Sequence, residues 1–191
     1  MAPSVPLILY VVLQFVAFLL LLVGMPIEVF RLRVAGGSTV CITLWGQKLS
    51  CTSVGYLFFQ EVVWRSCRKR VARFRAAQAF VIISIFVSLA AFIAGVTFLY
   101  GISLLRWVCL VLNVVGMVTS CVVWAAMAVT YNKTDDRVCL PVKTLGRYGA
   151  GFVLFVLAWI LDIINIILLL LPCTTTDAAQ DKTEQPPTAQ E

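Results

Sequence analysis

The chain has 191 residues, of which 61% are hydrophobic and only 13% are charged, and its mean hydropathy is +0.98. Soluble globular domains are about half apolar and about a quarter charged, so this composition excludes a water-soluble domain. No residue is histidine, which excludes histidine-based catalysis, metal binding and pH switching. The formal net charge of +6 therefore concerns the loops of a membrane protein, and no nucleic acid is expected as a partner.

Four apolar runs are each long enough to cross a membrane as a helix, which takes about 20 residues. The predicted spans are residues 7–30, 76–99, 107–129 and 148–171. The first run exceeds the apolar core of a signal peptide and follows no basic segment, so we interpret it as an uncleaved signal anchor. All four helices fit one membrane domain, residues 1–172, with two larger loops on one side, residues 31–75 and 130–147. The polar tail, residues 173–191, is predicted to be disordered.

In the first loop, polar and apolar residues alternate over residues 39–44, which is typical of a β-strand. A hairpin with a three-residue loop, residues 45–47, places Cys41 directly opposite Cys51. Opposed residues in antiparallel strands have Cα atoms about 4.5–5.5 Å apart, which suits a disulfide. The alternative is two free thiols in a cytosolic loop. Trp45 lies at the predicted tip, either packed near Trp64 or exposed as an anchor for lipid or a partner.

The eleven residues from Cys41 to Cys51 resemble the signature of amastins, the tetraspan surface glycoproteins of kinetoplastid parasites. The matching residues are Cys41, Thr43, Leu44, Trp45, Gly46, Lys48 and Cys51. Ser50 stands where the family prefers Asp, Glu, Asn or Thr. The resemblance implies a plasma-membrane glycoprotein with both termini inside and both larger loops outside. It further implies that the loops interact with lipids, the host-cell surface or neighbouring membrane proteins.

A more distant similarity is to claudins, which also have four spans and a disulfide-linked hairpin in the first loop. Residues 73–78 provide a similar Arg- and Ala-containing approach to the second span. Claudins place Gly-Leu-Trp before the first cysteine, whereas this chain has Leu-Trp-Gly between the two cysteines. The likeness implies a fold class: a membrane α-helical protein, with a four-transmembrane-helix bundle and a small disulfide-linked extracellular β-sheet in loop one.

The charges and the resemblance predict opposite orientations. The first loop holds nine basic residues and the loop at residues 130–147 holds four, against Arg106 and Lys182 on the other side. The positive-inside rule therefore predicts that both loops are cytoplasmic. Paired cysteines favour an oxidising compartment, and the sequon at Asn132 is a candidate glycosylation site only on the lumenal side. With the family resemblance, these features lead us to expect both loops outside.

A helix over residues 63–78 is predicted to be amphipathic and to lead into the second span. Its predicted basic face consists of Arg65, Arg68, Lys69, Arg73 and Arg75. Its opposite face consists of Val63, Trp64, Cys67, Val71, Phe74 and Gln78, with Arg70 near the boundary. The basic face is either a solvated helix extension that snorkels towards headgroups or a binding face for anionic lipids or acidic glycans.

Polar residues inside the predicted spans are Gln14, Asn113, Asp162 and Asn165. Such groups are costly in lipid, so we expect a hydrogen-bonded cluster that joins the helices, or alternatively a conducting path through Asp162. Cys67 and Cys139 are candidates for a second disulfide, and Cys173 is a candidate for palmitoylation.

No nucleophile–base pair, metal cluster or phosphate loop is apparent in the sequence, so we expect neither an enzyme nor a cofactor. Three hypotheses remain: an amastin-like surface protein, a small transporter or channel subunit that uses Asp162, and a claudin-like protein that assembles laterally. Membrane lipids are the expected partners, and a homo-oligomer is a further candidate.

Overall fold

The computed structural model describes residues 5–33, 39–53, 55–100, 104–135 and 139–171. Within them, five α-helices follow one another along the chain. They are α1 (Val5–Gly24), α2 (Gln60–Val63), α3 (Arg68–Phe98), α4 (Leu105–Asn132) and α5 (Ala150–Leu170). By length and composition, all except the short α2 can cross a membrane. The predicted four-helix membrane architecture is therefore confirmed.

The first helix is shorter than its apolar run. It ends at Gly24, whereas the sequence predicted a span to residue 30. Proline lacks a backbone N–H and disfavours helical geometry in the residue before it, so Pro26 stops the helix. Phe30 lies beyond the helix and is fully buried, so its apolar side chain serves the core under the sheet. Helix α3 begins at Arg68, before the predicted span, so its first turns precede the apolar segment.

A five-stranded antiparallel sheet lies at one end of the helix bundle. Its strands are β1 (Phe30–Arg33), β2 (Thr39–Ile42), β3 (Gly46–Lys48), β4 (Phe58–Phe59) and β5 (Gly146–Tyr148). Their spatial order is β4-β3-β2-β1-β5, so the fifth strand comes from the other loop and pairs with β1. The sequence predicted the sheet in loop one but not this strand. The sheet therefore ties both loops into one structure.

The hairpin of loop one has a different register from the predicted one. Cys41 pairs with Lys48, and Ile42 pairs with Gln47. The Thr43 N–H donates to the Gly46 carbonyl at 2.9 Å, which leaves only two residues in the turn. The Thr43 hydroxyl oxygen accepts the backbone N–H groups of residues 45 and 46, so it fixes this tighter turn. The predicted direct pairing of Cys41 with Cys51 is therefore wrong.

The Cys41–Cys51 disulfide itself is present. Its two Cα atoms are 5.3 Å apart. The chain turns back immediately after β3 and brings Cys51 next to Cys41 from outside the ladder. The predicted bridge is confirmed, although a turn rather than cross-strand pairing positions it.

The main hydrophobic core lies where the sheet meets the bundle. Its buried members come from strands β1 and β2, the hairpin tip and all four long helices, and include Leu21, Phe30, Ile42, Leu44, Phe74, Met127 and Phe155. Tyr131, Tyr148 and Phe152 stack in series beside this core, with successive ring centroids 3.9 Å and 4.1 Å apart. The sheet is thus packed onto the bundle, which gives the loop residues fixed positions.

Candidate functional site

A second disulfide links the two loops. Cys67, the residue before α3, is bonded to Cys139 with a Cα separation of 6.0 Å. The candidate second bridge from the sequence is therefore present. The Cys41–Cys51 bridge fixes the hairpin, and the Cys67–Cys139 bridge fixes the start of α3.

A buried ionic cluster lies beside the second disulfide. Arg73 donates from Nη1 to Asp135 Oδ2 at 3.0 Å, and its second terminal nitrogen pairs with the other carboxylate oxygen. Arg70 is only 2% exposed; its Nε lies 3.6 Å from Asp135 Oδ2 and its Nη2 donates to the Leu140 carbonyl at 2.7 Å. The hydrogen bond from Arg73 holds the pKa of Asp135 below its usual range.

This cluster changes the predicted basic face. Arg73 faces the other loop, and its side chain is only 18% exposed. Arg70 is buried within the protein, and its guanidinium group lies 4.5 Å from the centre of the Trp64 ring. The continuous helix predicted from residue 63 is also wrong, because α2 ends at Val63 and α3 begins at Arg68. Cys67, at this break, has a non-helical backbone with φ −115° and ψ 67°.

The residues that remain exposed form what we call the basic face: Arg65, Arg68, Lys69 and Arg75. A cavity of about 550 Å³ opens on it, lined by Arg65, Arg68 and Arg75 and by the apolar side chains of Val71 and Ala72. Glu61 lines the same cavity and pairs with Arg75, but both side chains are 65% exposed, so this ion pair is weak. The cavity therefore combines three guanidinium groups and one carboxylate with two apolar side chains.

An apolar patch adjoins the basic face. Strand β4 and helix α2 carry large side chains that are exposed, among them Phe59 at 66% and Val62 at 59%. Phe59 and Val62 also line a neighbouring cavity of about 330 Å³, which Trp45 and Arg75 share. Exposed apolar side chains of this size beside arginines are typical of interaction surfaces rather than of a solvated loop.

The motif residues have mainly structural contacts. Trp45 is partly buried and packs against the main core, while Trp64 stacks on Phe74 with ring centroids 6.4 Å apart. Gln78 donates to the Leu44 carbonyl at 2.7 Å and thus fixes the hairpin tip to α3. Lys48 donates to the Pro26 carbonyl at 3.3 Å and lies over the ring of Tyr56. These contacts favour the packing role for Trp45.

The polar residues of the membrane interior bind one another and neighbouring hydroxyl groups. Asn165 donates to the Gln14 side-chain oxygen at 2.8 Å, and Gln14 donates to the Ser88 hydroxyl at 3.1 Å, so one chain of hydrogen bonds joins α5, α1 and α3. Asn113 donates instead to the Tyr10 hydroxyl at 2.9 Å. Asp162 lies 3.5 Å from the Ser120 hydroxyl.

These contacts make three separate groups rather than one cluster. Sequence reasoning missed Tyr10, Ser88 and Ser120, although Ser84 and Ser88 recur at helical spacing on the buried face of α3. In the described part of the chain, no group of three or more Cys, Asp or Glu side chains could hold a metal ion. The conducting path through Asp162 stays a prediction.

Of the two candidate modification sites, only Asn132 lies within the described residues. Asn132 is the last residue of α4 and is exposed, and its side-chain nitrogen donates to the Ala128 carbonyl at 3.0 Å. Its glycosylation stays a prediction. Cys173 and the tail, residues 173–191, lie outside the described residues.

The family model described as the amastin surface glycoprotein matches residues 15–169. The chain belongs to the amastin family. The match covers the second half of α1, all or nearly all of the other three long helices, both loops and the paired cysteines. No curated protein matches the chain. This amastin is therefore a multi-pass membrane protein of a surface glycoprotein family, and its likeness to claudins stays a prediction.

Proposed function

We propose that this amastin lies in the plasma membrane with both termini in the cytoplasm, and that its outer loops bind anionic membrane surfaces. The basic face, at the start of α3 and in the turn before it, is the proposed contact. The observation that carries the proposal is the cavity that Arg65, Arg68 and Arg75 line together with Glu61, Val71 and Ala72. The neighbouring apolar patch extends this surface.

The two disulfides support the outward orientation. Both lie at the sheet end of the bundle, and disulfides persist in extracellular rather than cytosolic compartments. The positive-inside rule counts Lys and Arg whether or not they are paired with acidic residues, so the disulfides and the family match, rather than the charges, support this orientation.

The chemistry of the basic face suits a phospholipid surface. Guanidinium groups bind phosphate through paired N–H donors, and each basic residue near an anionic surface contributes about 1 kcal/mol. Aromatic and aliphatic side chains next to them suit the boundary between headgroups and acyl chains. The apolar lining residues and the apolar patch therefore favour a lipid surface over a purely charged solute.

Vesicle capture tests this proposal. The full chain is reconstituted in phosphatidylcholine liposomes, and binding of phosphatidylserine vesicles is measured by flotation. At about 1 kcal/mol for each basic residue, the double variant Arg65→Gln with Arg68→Gln should bind about 30-fold more weakly. The control is Lys133→Gln, which removes one exposed charge from the other loop and is compared with Arg65→Gln alone. Unchanged capture by the double variant, or an equal loss in the control, contradicts the proposal.

A further inference from the structure

A second cationic cavity lies at the opposite edge of the sheet. It has a volume of about 350 Å³ and lies where β1 meets β5, so both loops contribute to it. Its lining includes four basic side chains, those of Arg31, Arg33, Lys143 and Arg147, together with Thr39. In the described part of the chain, no carboxylate lines this cavity. The basic face of α3 shares none of these residues.

The strand register concentrates the arginines on one face. Arg31 is directly opposite Arg147, and Arg33 lies two residues along β1 and therefore on the same face. The alternate positions, Phe30 and Tyr148, pack on the core side. Like charges directly opposite each other destabilise a sheet, so this arrangement has a cost that packing does not explain.

Among the described residues, the ion pair of Arg31 with Glu28 offsets part of that cost, and the other basic residues of the cavity have no such partner. Glu28 binds Arg31 through Nε at 2.8 Å and through a terminal nitrogen. Among the described residues, no carboxylate lies within 4.0 Å of a side-chain nitrogen of Arg33, Lys143 or Arg147. Three positive charges thus face one cavity without an ion-pair partner there.

The cavity is also held in shape by the backbone. The Arg33 N–H donates to the Leu145 carbonyl at 3.0 Å, which joins the two loops across the cavity wall. The Thr144 hydroxyl donates to the Pro141 carbonyl at 2.7 Å and closes the turn that carries Lys143. At Gly146, a Cβ would overlap the Arg31 carbonyl oxygen, so glycine allows the close approach of β5 to β1. The basic side chains therefore extend from a fixed frame.

We propose that this cavity binds a phosphate monoester group. A dianionic phosphate would accept hydrogen bonds from the guanidinium groups of Arg33 and Arg147 and from the ammonium group of Lys143, and it would offset their mutual repulsion. The volume admits a phosphate with part of the group that carries it. The phosphate belongs either to a soluble ester or to a lipid headgroup. The site does not depend on the proposed function of the α3 face.

Ligand-dependent thermal stability tests the site and separates the two sources. The full chain is placed in phosphatidylcholine nanodiscs and melted with increasing inorganic phosphate at constant ionic strength. A parallel series contains increasing phosphatidic acid in the nanodisc and no added phosphate. A ligand that binds only the folded state raises the melting temperature as its concentration exceeds Kd. A rise with phosphate indicates a soluble ester, and a rise with phosphatidic acid alone indicates a lipid headgroup.

The variants assign the effect to the cavity. Arg33→Gln with Arg147→Gln should weaken the apparent affinity at least about tenfold, since hydrogen bonds to charged groups contribute about 1.5–3 kcal/mol each. The same double variant should melt at or above the wild-type temperature without ligand, because it removes the opposed charges. Arg147→Lys should retain part of the affinity. The control, Lys133→Gln, removes an exposed charge that lines neither cationic cavity and should respond like the wild type.

Two results would overturn the proposal. One is the absence of saturable stabilisation in both series. The other is an equal loss of response in the Lys133→Gln control, which would show general charge attraction rather than a site. Failure here leaves the vesicle capture by the α3 face unaffected, since the two experiments change different residues.

Discussion

The sheet end and the membrane interior of this amastin both bury polar side chains, but they satisfy them differently. At the sheet end the buried groups are ions with opposite partners, Arg70 and Arg73 with Asp135, and two disulfides reinforce them. In the interior the joined groups are mostly neutral amides and hydroxyls, such as Gln14 with Asn165. The cost of an unpaired charge is greatest in lipid, which explains the difference.

This difference separates stability from function. The interior hydrogen bonds hold helices together and leave few groups free for a ligand. The sheet end has more basic residues than its acidic residues can pair, so some arginines stabilise the fold and others remain exposed around cavities. We therefore expect substitutions of paired residues to reduce stability, and substitutions of exposed basic residues to reduce binding.

The largest loss of stability should follow removal of the bridge between the loops. The Cys67–Cys139 bridge spans 72 positions and the Cys41–Cys51 bridge spans 10, so loop-closure entropy predicts about 4 kcal/mol for the first and about 3 kcal/mol for the second. Unfolding of Cys67→Ser and Cys41→Ser, each in bicelles, measures the two losses. A larger loss for Cys41→Ser would contradict the view that the inter-loop bridge is the stronger restraint.

The next largest effect should follow Asp135→Asn. Removing one partner of a buried ion pair leaves Arg70 and Arg73 without compensation, and we expect a loss of about 3 kcal/mol. Glu61→Gln, the control at the exposed pair with Arg75, should cost less than about 1 kcal/mol. Equal losses in the two variants would show that burial of the Asp135 pair does not matter.

Acid should remove the stabilisation that the ion pairs of Asp135 provide. The folded-state pKa of Asp135 is lower than its unfolded value, so the pair stabilises the protein fully above the unfolded pKa of about 4. The stability is lost as the pH falls through the lower, folded-state pKa. The gap in melting temperature between the wild type and Asp135→Asn should therefore be constant near neutral pH and narrow only in strong acid.

A smaller loss should follow Trp45→Ala. The ring is partly buried against the core, so we expect about 2 kcal/mol, less than the 3–5 kcal/mol that a fully buried ring loses. The control is Phe59→Ala, which removes an exposed ring from the cavity that Phe59 and Trp45 both line. It should change stability by less than about 0.5 kcal/mol. Normal stability of the Trp45 variant would argue instead for an exposed anchor.

The smallest loss should come from the interior. Hydrogen bonds between membrane helices contribute about 0.6 kcal/mol on average, so Gln14→Leu, which removes contacts with Ser88 and Asn165, should cost about 1 kcal/mol. Val12→Ala, at a position on α1 that is 52% exposed, serves as the control. A loss as large as that of Asp135→Asn would erase the contrast between the two regions.

Some of this structure could be predicted from the sequence because the signals are local. Runs of apolar residues long enough to span lipid identified the four helices, and strand alternation with two cysteines identified the first disulfide. The turn register could not be predicted, since it depends on the Thr43 side chain accepting two backbone N–H groups. Pro26 is the local signal for the early end of α1, but the apolar residues that follow Pro26 led to the prediction of a longer span.

The features that were missed depend on residues far apart in the chain. Strand β5 has only three residues and forms because β1 is beside it. Arg73 was placed on the exposed face because its partner, Asp135, lies in the other loop. The cavity at Arg31 and Arg147 likewise needs both loops, so neither loop alone indicates it.

The sidedness of the sheet end tests the central proposal most directly. An epitope inserted beside Gly55, in an exposed turn of loop one, and a C-terminal tag are detected by antibodies on intact and on permeabilised cells. We predict that the loop epitope is labelled on intact cells and that the tag is labelled only after permeabilisation. Labelling of the tag alone on intact cells would place the basic residues in the cytoplasm, as the positive-inside rule predicts, and would contradict the proposal.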